Sequence, residues 1–304
     1  PTLAGGVLHD AGAVRAAMLS AVGASPRDAE PVAITVGEPA RDALRVAYRA
    51  ELLAVAAHDL ASADDLDEVC AAVPEVGRRL ADLAAATLEA ALAVARAEHP
   101  DDAALCRLAV IGMGKCGGRE LNYVSDVDVV FVGEPRGDAD EAAALPAAGR
   151  LAATLMNVCS ASTAEGTIWP VDAALRPEGR QGVLVRTVAS HLGYYERWAK
   201  TWEFQALLKA RVVAGDVALG AAYLDAVVPL VWRAAQRPNF VQDVQAMRRR
   251  VEETDAEVDP AHPRGVGEGG QIQADRRTSD GEPARHREGG EVGCIGRLFR
   301  PRDG

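Results

Sequence analysis

Apolar and polar positions alternate along this chain in two different rhythms, and the change of rhythm divides it. From about Pro39 to Ala61, Leu44, Val46, Leu52, Leu53 and Val55 recur near helical spacing among Arg and Glu, which predicts a helix. Ser62, Asp64 or Asp65 is placed to cap a second helical stretch running to about Glu98. Its later part, 78–97, is built of good helix formers, with leucines at 80, 83, 88 and 92. Pro74 is expected to split that stretch in two. Residues 1–38 are weakly patterned, and the run beginning at His99-Pro100 reads as a turn. The rhythm then shortens. Leu108–Gly112 and Asp126–Val132 read as strands, the second ended by the Gly133–Gly137 run.

A helix is expected at about 147–160, where Leu151, Leu155 and Val158 share one face, and a third strand at Thr167–Leu175. Pro170 marks that strand as an edge or a bulge. Arg176 opens a loop, and Val188 to about Glu253 reads as three or four helices. Tyr194, Tyr195, Trp198 and Trp202 within it have the spacing of core residues. The expected division is a helical segment (1–100), a catalytic core with a small sheet (101–215), a helical extension (216–258) and a tail (259–304). That tail is rich in Gly, Arg, Glu and Asp, and composition makes it disordered or aberrant in expectation. The fold class is α+β: a small mixed sheet with flanking helices, preceded and followed by helical segments.

Composition narrows the function. The net charge of −11 over 304 residues argues against broad nucleic-acid binding. No run of 18 or more apolar residues suggests a membrane span, and no secretory signal is visible. Five scattered cysteines fit a reducing compartment, and a cytoplasmic place is expected. The chain starts at Pro1 rather than Met, as a fragment or processed product would.

The chemistry concentrates in Gly112–Phe131. A glycine-rich turn follows the first strand, and Asp126 and Asp128 open the second. Two carboxylates about 6–7 Å apart on one strand face repel unless a cation lies between them. Oxygen ligands of this kind suit Mg²⁺ or Mn²⁺. A Walker loop fails, because Lys115 is followed by Cys116 and Ala109 stands at the required glycine. A dinucleotide fingerprint is a sharper rival: Gly112, Gly114 and Gly117 have its spacing, and Glu134 lies about 20 residues on. Against it, the link to the second strand is short for a crossover helix, and that strand carries two acids. The third reading is the nucleotidyltransferase arrangement of Gly117-Gly118, a short helix, then Asp126-Val-Asp128-Val. Asp172 would supply the third carboxylate from a neighbouring strand. Lys115, Ser125 and Arg176 are phosphate-binding candidates, with bland alternatives as a loop lysine, a helix cap and a surface ion pair. The amides of Gly117 and Gly118 could cradle a phosphate.

At Gly112–Asp128, Val171–Pro177 and Tyr194–Arg211 the sequence resembles the bacterial glutamine-synthetase adenylyltransferase/adenylyl-removing enzymes. The resemblance spans roughly residues 40–255 and is closest to actinobacterial members. That family carries two nucleotidyltransferase domains. One removes AMP from a tyrosine of glutamine synthetase by phosphorolysis, giving ADP; the other attaches AMP from ATP. Glu120–Tyr123 and Trp198–Trp202 look more like the deadenylylating half. The resemblance implies Asp126, Asp128 and Asp172 as metal-holding catalytic acids. It adds Lys209 and Arg211, on a helix beginning near Trp202, to the nucleotide-binding set. It also implies ATP, ADP and phosphate as ligands, and glutamine synthetase and a PII-type signal protein as partners. The chain is far shorter than the family's whole enzyme. It also lacks the family's Lys-x-Gly-x-Gly-Gly-x-Arg-Asp-x-Glu segment after about Asp259, where a frameshifted end would leave such a tail. AMP transfer in the forward direction and an inactive regulatory module remain the alternatives.

Overall fold

The computed structural model describes residues 8–61 and 66–256. The tail at 259–304 and the cap candidates at 62–65 lie outside the described residues. Ten α-helices, a 3-10 turn at Gly179–Gln181 and five strands occur in the described residues. They begin with α1 (Ala11–Ala21), α2 (Gly37–Ala61), α3 (Leu66–Glu98) and α4 (Pro100–Leu105). The first two strands follow, β1 (Cys106–Gly112) and β2 (Val127–Pro135), joined through the one-turn α5 (Gly114–Gly117). Then come α6 (Glu141–Ser160), β3 (Val171–Asp172), β4 (Val185–Arg186), α7 (Val188–Arg197) and α8 (Thr201–Leu207). The series ends with β5 (Arg211–Gly215), α9 (Val217–Ala235) and α10 (Phe240–Ala256).

The sheet order is β3-β2-β1-β5, with β4 also on β2. β1 is antiparallel to both β2 and β5, whereas β3 and β4 run parallel to β2. This is the expected small mixed sheet of an α+β fold. β3 lies on the edge, as Pro170 implied, and the Pro170 carbonyl accepts from Val127 N at 3.0 Å.

Side chains alternate across the sheet and so bury two separate cores. Leu108, Val110, Val127, Val129 and Phe131 point into a large aliphatic core shared with α1, α2, α3 and α6. Ala109, Ile111, Val130 and Val132 point into a smaller one with α7, α8 and α9. By length and composition α6 and α9 could cross a membrane, but each buries an apolar stripe inside the fold.

Four local expectations are corrected. α1 forms in the weakly patterned N-terminal stretch: Asp10 caps it, accepting from Ala13 N at 2.8 Å, and Val14, Met18 and Leu19 bury. α3 is continuous through Pro74. Pro74 and Cys70, whose carbonyl loses its donor to the ring, are both exposed, so water can take that place. The turn at His99-Pro100 is a short helix, with Pro100 at its favoured first position. The stretch 188–253 is not wholly helical, because β5 interrupts it.

Candidate active site

β1 delivers the glycine turn. Tight packing explains its glycines. A Cβ on Gly117 would run into the carbonyls of Lys209 and Gly112, and one on Gly112 would sit 2.6 Å from Val213 Cγ1. Gly114 has φ +49°, a left-handed conformation, with Asp128 Oδ2 2.6 Å from where its Cβ would be. The amides of Gly117 and Gly118 donate within the turn, to Met113 O at 2.8 Å and Gly114 O at 3.1 Å.

β2 starts at Val127, so Asp126 stands just before the strand and Asp128 is its second residue. Asp128 shares its face with Val130 and Val132, toward the smaller core. Its own carbonyl accepts from Met113 N at 2.9 Å, stitching turn to strand. Asp128 and Asp172 occupy paired positions on the parallel strands β2 and β3 and therefore project side by side. Burial, followed by the charges of Asp126 and Asp172, pushes the Asp128 carboxyl up to about 6, with Lys115 acting in the opposite direction. Asp172 is held on both oxygens: Oδ1 accepts from Ala174 N at 2.7 Å and Oδ2 from Arg180 Nη2 at 3.2 Å.

The donor chemistry and the mutual repulsion fit a hard divalent cation. The three carboxylates are not closed around a point, however. Among the described residues no three His, Cys, Asp or Glu side chains are gathered as a ready metal site.

The basic candidates divide. Lys115 is exposed on the turn, close enough to act on Asp128, and Ser125 is half-buried directly before Asp126. Arg176 is committed to its own loop, donating to the carbonyls of Ala173, Arg180 and Gly182 at 2.8, 3.0 and 3.0 Å. Lys209 and Arg211 are not on a helix: Lys209 follows α8, and Arg211 opens β5. Lys209 Nζ pairs with Glu120. Arg211 donates to Gly117 O at 3.2 Å and Cys116 O at 3.0 Å, pinning the end of α5. Sequence reasoning passed over Arg180, although a cation four residues beyond Arg176 in a glycine-containing loop was a signal. Tyr195 is in the core as expected, whereas Trp198 is 72% exposed.

The dinucleotide alternative fails on topology. It needs parallel strands joined by a crossover helix, whereas β1 and β2 are antiparallel and joined through one helical turn. Glu134, the candidate ribose ligand, accepts from Val188 N at 2.9 Å at the start of α7.

A small mixed sheet with a glycine turn between its first two strands, and acids paired on β2 and β3, defines a nucleotidyltransferase-type fold. The family model for glutamate-ammonia ligase adenylyltransferase matches residues 9–226, and the chain belongs to that family. It is 66% identical over 208 residues to the bifunctional glutamine synthetase adenylyltransferase/adenylyl-removing enzyme of Streptomyces avermitilis, covering 68% of this chain and 20% of that protein. Identity to the enzyme of the same name from Mycobacterium tuberculosis is 57% over 214 residues, covering 69% and 20% respectively. For that of Bifidobacterium longum it is 49% over 244 residues, covering 79% and 22%. The chain thus spans about a fifth of the length of these relatives.

Proposed function

We propose that this chain carries the adenylyl-removing chemistry: phosphorolysis of AMP from an adenylylated tyrosine of glutamine synthetase, releasing ADP, in the cytoplasm. The observation that carries the nucleotidyl-transfer part is the register of Asp128 against Asp172 beside the glycine turn. The direction rests on the resemblance of Glu120–Tyr123 and Trp198–Trp202 to the deadenylylating half, and on the relatives' double name.

In the proposed reaction an oxygen of inorganic phosphate attacks the α-phosphorus of the tyrosyl-AMP. The bond from phosphorus to the tyrosine oxygen breaks. The phenolate, with an ordinary pKa of about 10, leaves and takes up the proton that hydrogen phosphate gives up. AMP-tyrosine and phosphate thereby become ADP and tyrosine. A Mg²⁺ or Mn²⁺ held by Asp126, Asp128 and Asp172 would supply charge neutralisation at the α-phosphoryl group. Strand pairing fixes the backbones of Asp128 and Asp172 side by side, so that both carboxylates can reach one cation. Lys115, exposed on the turn, adds a point charge for a phosphate oxygen. Ser125 can donate to the same group. Gly117 serves by letting the Lys209 carbonyl approach the turn closely, and Gly118 by leaving room for the Glu120 and Lys209 side chains.

The test is phosphate- and Mg²⁺-dependent release of ADP from adenylylated glutamine synthetase. Release that disappears in Asp128→Asn supports the reading. Transfer of label from ATP to unmodified glutamine synthetase, with no ADP release in the first assay, would replace it with the forward reaction. Binding to glutamine synthetase without either turnover would replace it with a regulatory module.

A further inference from the structure

The loop between β3 and β4 is wound around one half-buried cation, Arg176. The three carbonyls that take the Arg176 guanidinium, those of Ala173, Arg180 and Gly182, span the whole turn. Two consecutive residues adopt left-handed backbone conformations, Glu178 at φ 64° and Gly179 at φ 61°. At Gly182 a Cβ would run into the Pro177 carbonyl. A loop with so many internal constraints has few alternative shapes, and Arg176 fixes the backbone of Arg180 directly through its carbonyl. The Arg180 side chain is different: it is 58% exposed and touches Asp172 through a single 3.2 Å contact to Oδ2. The other oxygen of Asp172 is secured by Ala174 N. A rigid loop therefore holds a loosely attached guanidinium against the Asp172 oxygen that Ala174 N does not hold, in a candidate metal-binding carboxylate. An exposed single-contact ion pair of this kind is weak and readily exchanged.

We infer that Arg180 is a positioning residue: an internal counterion that occupies Asp172 Oδ2 and that a divalent cation displaces on binding. The inference rests on the metal-holding role proposed above for Asp172. It assigns Arg176 and Arg180 linked but separate tasks, since Arg176 builds the loop and Arg180 guards the carboxylate. A bidentate Arg–carboxylate pair would compete strongly with a cation. The single contact seen here leaves the exchange shallow, so the effect on metal affinity is modest and has a definite sign.

The experiment measures Mn²⁺ binding to the intact protein by electron paramagnetic resonance, in wild type and Arg180→Gln, without nucleotide. It also follows the side-chain Nε–H signal of Arg180, identified by its loss in the variant, during a Mg²⁺ titration by NMR. Arg180→Gln is expected to bind Mn²⁺ about two- to fivefold more tightly. The wild-type Arg180 signal should move toward the position of a free arginine as Mg²⁺ saturates. Wild type that binds Mn²⁺ while the variant binds no more tightly, or an Arg180 signal that ignores saturating Mg²⁺, overturns the inference and leaves the metal site standing. No Mn²⁺ binding by wild type overturns the metal reading itself, and the inference with it. A tighter variant whose wild-type Arg180 signal does not move would reflect only the lost positive charge, and would also overturn the exchange.

Discussion

The two faces of the sheet are built on different terms. The α1–α3 and α6 face is broad and aliphatic, crowded with Ala, Leu and Val. Its deepest cation, Arg45, is wholly buried. Arg45 donates to the carbonyls of Arg41, Val158 and Gly166 at 2.8, 3.2 and 2.7 Å, and also to Ala161 O. The α7–α9 face is smaller and more aromatic, with Tyr195 and Tyr223 around His191 and Phe204 against Tyr195. It is the face toward which Asp128 points. One arginine ties helices to loops through four backbone carbonyls, while Arg180 on the site edge holds one exposed contact. Burial decides whether a charge is structural or available.

The sharpest way to test that division is to change one charge on each side. Asp128→Asn should lower ADP release by at least about 10²-fold. Its melting temperature should hold or rise, because the substitution removes a half-buried repulsion. Arg45→Met is the reverse case. It leaves buried carbonyls without donors and should lower unfolding stability by about 3–5 kcal/mol, read by denaturant titration. Activity per folded molecule should be nearly unchanged. If Arg45→Met instead abolished turnover in a protein that still melts cooperatively, the two faces would not be separable.

The aromatic face makes a pH-dependent prediction. Burial lowers the His191 pKa to about 4, with Arg186 nearby adding to the effect and the Thr187 carbonyl, which accepts from Nδ1, opposing it. Tyr195 and Tyr223 face the ring and stay neutral in this range. Between the unfolded value of about 6.5 and the folded value, only the unfolded chain takes up the proton. Stability should therefore fall as pH drops through that window, by roughly 3 kcal/mol in all. Above pH 6.5 His191 contributes no slope. His191→Asn should flatten the stability–pH curve between pH 4.5 and 6.5, whatever its effect at pH 8. The smallest effect belongs to Trp198→Ala. At 72% exposed, that side chain should change stability by less than about 0.5 kcal/mol.

Long apolar runs were legible in the sequence: α2, β1 and β2 are where the rhythm puts them. The acid pair was legible only in part: Asp128 lies on β2, but Asp126 stands just before it, and the register that sets Asp128 beside Asp172 comes from strand pairing. β5 was not legible. Its five residues, Arg211–Gly215, lie between two helices, and so short a β-branched run gives no period of its own. Only pairing with β1 makes it a strand. The places of Lys209 and Arg211 went wrong for the same reason. Pro74 misled in the other direction, since local propensity cannot know that the broken hydrogen bond faces water. The commitment of Arg176 to three carbonyls was equally hidden, because nothing in one dimension tells a backbone clamp from a phosphate clamp.

The clamp of Arg211 on Cys116 and Gly117 has a consequence for how the protein is made. Some 95 residues separate the glycine turn from the side chain that fastens it. On a ribosome, Asp126, Asp128 and Asp172 emerge well before β5 does. Until Arg211–Gly215 arrives, β1 is an open edge with unpaired amides and carbonyls, the surface on which strands of other molecules pair. The last described strand of the sheet thus covers β1 and locks the turn in one event, and a chain stopped short of residue 211 would leave β1 exposed and prone to aggregate.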